Sequence, residues 1–186
     1  MECLKYKPVH NYSRVDSSKV YYNGYNNCCL ISSFQIQMKK IYSDFPSLYE
    51  ILPIMFSTSK NAYCHFALEF PEKWFILKNH LIKKNNNWEE RLDKIVIRFY
   101  LPLTGKEDKN NCVLLSVIDI NKINSKEVSN GNTESLEEAI SDYVDKDKIT
   151  IDILQVYNHF EPIKLGEKIR DRSESIECSI NKSFFN

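Results

Sequence analysis

The sequence predicts an α+β domain, with helices first and then strands interleaved with a helix. Three observations carry this. Leu30, Phe34, Met38 and Ile41, with Ile31 beside Leu30, place an apolar stripe at helical spacing just after a turn and two cysteines. Residues 94–101 and 112–120 are apolar runs rich in Ile, Val and Leu, the second apolar enough for a central strand. Residues 150–157 alternate polar and apolar as a half-buried strand does.

Taken in order, residues 1–22 are polar with scattered aromatics and read as a lead-in segment that wraps the domain. The turn Asn23-Gly24-Tyr25-Asn26-Asn27 then feeds Cys28, Cys29 and the striped helix. Ser43 or Asp44 can cap a second helix, for which Pro46 suits the first turn, and Pro53 kinks or ends it. Residues 57–61 read as a loop. Trp74, Leu77 and Leu81 follow a helical spacing, and Trp88 opens a short helix. After the two strands, Asn130-Gly131 marks a turn, and Ser135-Leu136-Glu137-Glu138 fits a capping box for a helix carrying Leu136, Ile140 and Tyr143. Gly166 is expected to end the compact part, giving a domain over 1–166. Residues 167–186 form a polar tail whose Ile176, Ile180 and Phe184 suit a short docked helix.

The 186 residues suffice for one domain with a proper core. The 25 Lys and Arg balance the 25 Asp and Glu, so nothing in the net charge argues for nucleic acid or an anionic membrane, and neither is expected as partner. Only 4 glycines are present and no Gly-rich phosphate loop occurs, so no nucleotide cofactor is expected. The six cysteines show no CxxC spacing, and two are adjacent, a poor layout for disulfides. No secretory signal and no membrane-length apolar run is read in the chain. A reducing cytoplasm follows as the expected compartment. Cys64, His65 and His80 match no structural zinc pattern, so no metal is expected. The abundance of Asn, Lys and Ile suggests AT-biased coding, as in some intracellular bacteria, viruses and protists.

Two stretches suggest chemistry. A cysteine in the first turn of a helix sees the positive end of the macrodipole and unsatisfied N–H groups, both of which favour thiolate. Cys29 holds that place, with Cys28 as rival. Far along the chain, Asn158-His159-Phe160-Glu161 follows the alternating strand. In an extended segment, residues i and i+2 share a face, so Glu161 can orient His159 as a general base.

Together these stretches resemble the ovarian tumour (OTU) family of cysteine proteases, most of which are deubiquitinases. Cys29-Leu30 matches the family's nucleophile at a helix start, and His159-Phe160-Glu161 its later His-aromatic-acid segment. Asn26-Asn27 stands where the family has Asp-Gly, and Ile31 where it has an aromatic. The resemblance implies a papain-like fold, in which N-terminal helices pack on a small central sheet, with Cys at a helix start and His at a strand end. It implies catalysis by Cys29, His159 and Glu161, with Asp16 or Asn158 as other third residues, and an oxyanion loop of Asn26, Asn27 and Cys28. The implied partner is ubiquitin or polyubiquitin bound by a monomer, with aromatics of the 63–88 segment as the contact. In a chain from an intracellular bacterium, the implied site of action is the host cell. A papain-like peptidase or acyltransferase with another substrate, or an inactive interaction module, are the alternatives.

Overall fold

The computed structural model describes residues 6–16, 28–56, 71–105, 109–122 and 147–173. Five strands and four helices occur among them. In order they are β1 (Tyr6–Arg14), α1 (Cys29–Ile41), α2 (Leu48–Phe56), α3 (Pro71–Lys84), α4 (Asn87–Asp93), β2 (Ile95–Pro102), β3 (Asn111–Asp119), β4 (Ile149–Val156) and β5 (His159–Ser173). The strands close into a barrel in the order β1-β3-β2-β4-β5, with β1 bonded to β5. Every pair is antiparallel except β2 with β4.

This corrects the papain-like OTU fold expected above: the sheet is a closed five-stranded barrel, not a small open sheet behind N-terminal helices. The difference comes from two polar strands. β1 lies within the expected lead-in, and Val9 is the one buried residue among those of its positions whose burial is described. It is a strand because β3 and β5 satisfy its backbone from both sides. β5 runs on past Gly166, the expected end of the compact part, to Ser173. The charged run within its outer half is exposed, which hides the strand from a search for apolar alternation.

The strands expected at 94–101, 112–120 and 150–157 form as β2, β3 and β4. The stripe of α1 is also real: Leu30, Ile31, Phe34 and Met38 are buried, whereas Ile41 is 38% exposed at the helix end. α2 begins later than expected, at Leu48, where Ser47 and Glu50 make one half of a capping box: the Ser47 N–H donates to Glu50 Oε2 at 2.8 Å, and Ser47 Oγ donates to the same oxygen at 2.8 Å. Pro53 sits inside α2 without ending it. Pro71 opens α3, where its missing N–H costs nothing. The loop expected at 57–61, the helix at 135–144 and the tail helix lie outside the described residues.

The two faces of the strands bury separate cores. Ile95, Ile97, Phe99, Ile151, Ile153 and Phe160 join the helices in one cluster. Within it, Phe34 meets Phe45 and Trp74 edge-on, with centroids 5.7 and 5.1 Å apart, and Phe45 meets Trp88 at 5.5 Å. A five-stranded barrel has no room for a helix, so this is its outer face. Tyr100, Cys112, Leu154 and Ile163, with Tyr12, form the second cluster on the inner face. Burial there pushes the Cys112 thiol up to about 12.

α1 lies against β4 and β5. Ser33 Oγ donates to the Phe160 carbonyl at 3.1 Å. Gln37 bonds the backbone of Asp152, donating to its carbonyl and accepting from its N–H at 3.4 Å. The β4–β5 ladder reaches only from Val156 back to Ile153, paired with Pro162, so Gln37 serves the next residue of β4.

A candidate thiol–imidazole site at the rim of the barrel

The helix start and the β4–β5 hairpin meet at one rim. Cys28 is the N-cap of α1 and Cys29 its first residue. Cys28 is 1% exposed and packs in the outer core, whereas Cys29 is half-buried at the surface. Of the two rivals, Cys29 alone is open to a substrate.

The Cys29 Sγ donates to the Asn158 carbonyl at 3.9 Å, a long and weak bond. Tyr157 and Asn158 form the two-residue turn of the hairpin, with Val156 paired to His159. Tyr157 takes a left-handed φ of 53° and is 82% exposed. That conformation is uncommon and strained for a bulky residue.

His159 opens β5, and its Nε2 lies 3.5 Å from Glu161 Oε1. Glu161 is buried, its side chain 4% exposed, and its other oxygen is ion-paired with Arg14 Nε across the β1–β5 seam. The seam explains the meeting. Arg14 pairs with Ile163, so the two side chains share a face, and alternation puts Glu161 and His159 on it too. That is the inner face. Phe160, between them, points out to α1 and packs edge-on against Phe99 at 6.3 Å.

The electrostatics oppose the thiolate expected from the helix start. Burial pushes the Cys29 thiol up, and its proximity to Cys28 adds to this. Backbone bonds from Phe160, Leu30 and its own N–H pull the other way without reversing the balance. Burial lowers His159, which Glu161 raises again and Arg14 lowers further. Near neutral pH both shifts favour the uncharged forms, a thiol at Cys29 and an imidazole at His159.

Other expected residues fall elsewhere. Asp16 Oδ2 is paired with Lys40, in the last turn of α1, at 2.7 Å. The Asn158 side chain is exposed, and its carbonyl is the group that meets the sulfur. Asn26 and Asn27 lie outside the described residues. Trp74 and Trp88, within the segment expected to contact a partner, are buried in the outer core. Arg14, Ser33 and Tyr157 were not singled out by the sequence, because each acquires its place only through the barrel.

No cluster of three His, Cys, Asp or Glu side chains suited to a metal occurs among the described residues. No helix among them is long and apolar enough to cross a membrane. The fold and site together define a barrel-and-helix protein with a thiol at a helix start against the tip of the β4–β5 hairpin, and with His159, Glu161 and Arg14 grouped on the inner face. Comparison with family models, curated proteins and solved structures finds no match.

Proposed function

We propose that this chain is a thiol-dependent acyl-transfer enzyme that cleaves bonds after the C-terminal glycine of ubiquitin. The observation that carries the reading is the seat of the Cys29 sulfur against the carbonyl of Asn158, one residue before His159, with Glu161 behind the imidazole. The choice of ubiquitin rests on the resemblance of Cys29-Leu30 and His159-Phe160-Glu161 to the OTU protease segments.

In the first step Cys29 Sγ bonds to the carbonyl carbon, and its proton passes to His159. The amine leaves with that proton, giving a thioester. Water, deprotonated by His159, then releases a carboxylate and restores the thiol. N–H groups of the first helical turn, at Cys29 and Leu30, have no intrahelical acceptor and suit a developing oxyanion. The sulfur must leave the Asn158 carbonyl and reach the ring across the hairpin tip. The strained Tyr157 is the point at which that tip can move.

A second reading, an interaction module without activity, is favoured by one observation. The Cys29 sulfur bonds the hairpin backbone on the helix side, while alternation along β5 turns His159 to the inner face.

Ubiquitin bearing a C-terminal electrophile tests both, using wild type, Cys28→Ala, Cys29→Ala and His159→Ala. A covalent adduct kept in Cys28→Ala and lost in Cys29→Ala is expected, with a roughly hundredfold or greater slowing in His159→Ala. A folded wild type that forms no adduct would overturn the ubiquitin reading. Adduct with a small acyl electrophile but not with ubiquitin would move the substrate elsewhere.

A further inference from the structure

The carboxylate behind His159 faces two basic side chains. Glu161 Oε1 faces the imidazole at 3.5 Å, and Oε2 is held by Arg14. A buried carboxylate needs a positive partner or it gives up its charge. Here the half-exposed Arg14, on the first strand, supplies it from across the barrel seam.

We infer that Arg14 is a positioning residue. It clamps the Glu161 carboxylate on the inner face of β5, so that the carboxylate orients the His159 ring without giving that ring a full counter-charge. The consequence for catalysis rests on the function proposed above; the clamp itself does not.

Each charged group that acts on the ring among the described residues has a sign. On β5, Glu161 favours the imidazolium, whereas Arg14 on β1 opposes it. Tyr12, also on β1, lies close enough to Arg14 and Glu161 to feel both charges, and its own hydroxyl is held protonated by burial. From α1, the Cys29 sulfur meets the β4–β5 hairpin at the backbone of Asn158 and Phe160 and is a neutral thiol. β4 places Val156, which does not titrate, opposite His159. With the clamp in place, the ring stays neutral and able to accept a proton. Without Arg14, the carboxylate would act on His159 with no opposing charge from β1 and favour its protonated form.

The test is an NMR titration of the His159 ring, which needs no substrate. Arg14→Gln is expected to move the midpoint to higher pH, and Glu161→Gln to move it lower. Arg14→Lys, which keeps the charge but not the forked geometry, is expected to return the midpoint most of the way. A loss of packing alone would not shift the midpoint in opposite directions for two ends of one ion pair. Should Arg14→Gln fail to fold, the double exchange Arg14→Gln with Glu161→Gln removes both charges and leaves none buried alone. Its His159 midpoint is then expected above that of Glu161→Gln. Equal midpoints in these two, or an unmoved midpoint in a folded Arg14→Gln, would overturn the inference. In an adduct assay, Arg14→Gln is expected to lose roughly tenfold in rate near pH 6 relative to its rate near pH 8, beyond any such loss in wild type. Failure of adduct formation in every protein bears on the proposed function and leaves the titration to decide the role of Arg14.

Discussion

Cys29 stands where two physical influences conflict. Its place at the start of α1 favours thiolate, and its burial favours thiol; burial prevails. Below a raised pKa the sulfur is mostly protonated, and only thiolate is alkylated. Pulse alkylation with iodoacetamide, read by mass spectrometry, is therefore expected to label Cys29 more slowly near neutral pH than an unstructured thiol. The rate is expected to keep rising with pH after that of the reference thiol has levelled off. A rate that levels off below the ordinary thiol range would mean that the helix terminus dominates. At this scale the sequence made the location of the sulfur and of the His159–Glu161 pair legible, since both follow from short-range periodicity. The protonation state was not legible, because burial is a property of the packed molecule. Arg14 was invisible for a different reason: its partner lies 147 positions away, and no local pattern marks such a pair.

Among the elements, α1 and β2 to β4 declared themselves because each buries a face, and burial imposes a period on apolar residues. β1 and the outer half of β5 declared nothing, because most of their side chains face water. Their seam also carries an irregularity. His10 pairs with Lys168 and Tyr12 with Leu165, so Asn11 alone stands opposite Gly166 and Glu167. The Asn11 side chain lies where a Cβ on Gly166 would be, its Oδ1 and Cγ overlapping that position. Asn11 is exposed and can swing aside, so Gly166→Ala alone is expected to cost no more than about 1 kcal/mol. In an Asn11→Ala background the same change is expected to stabilise by about 0.4–1 kcal/mol, through the reduced freedom of the unfolded chain. A double-mutant cycle by urea unfolding checks this, and strict additivity of the two changes would count against the contact.

At the scale of the whole molecule, the α+β content was legible and the architecture was not. An open sheet and a closed barrel can be built from the same central strands; what distinguishes them is the pairing of β1 with both β3 and β5. Deleting residues 1–14 is expected to expose two strand edges and abolish cooperative unfolding, with aggregation on size-exclusion chromatography. A truncated chain that stayed monomeric and melted cooperatively would show the other four strands to be self-sufficient. The same pairing has a consequence in time. β1 is the first of the described strands to be synthesised and β5 the last, so their ladder is among the longest-range contacts in the chain. Loops of that length close slowly, and the early strand must wait with its edge open while the rest of the chain emerges. The ion pair of Arg14 with Glu161 forms only when that closure is complete. A nascent or nicked chain can therefore already carry the Cys29 thiol and the His159 imidazole while Glu161 still lacks the arginine that holds it.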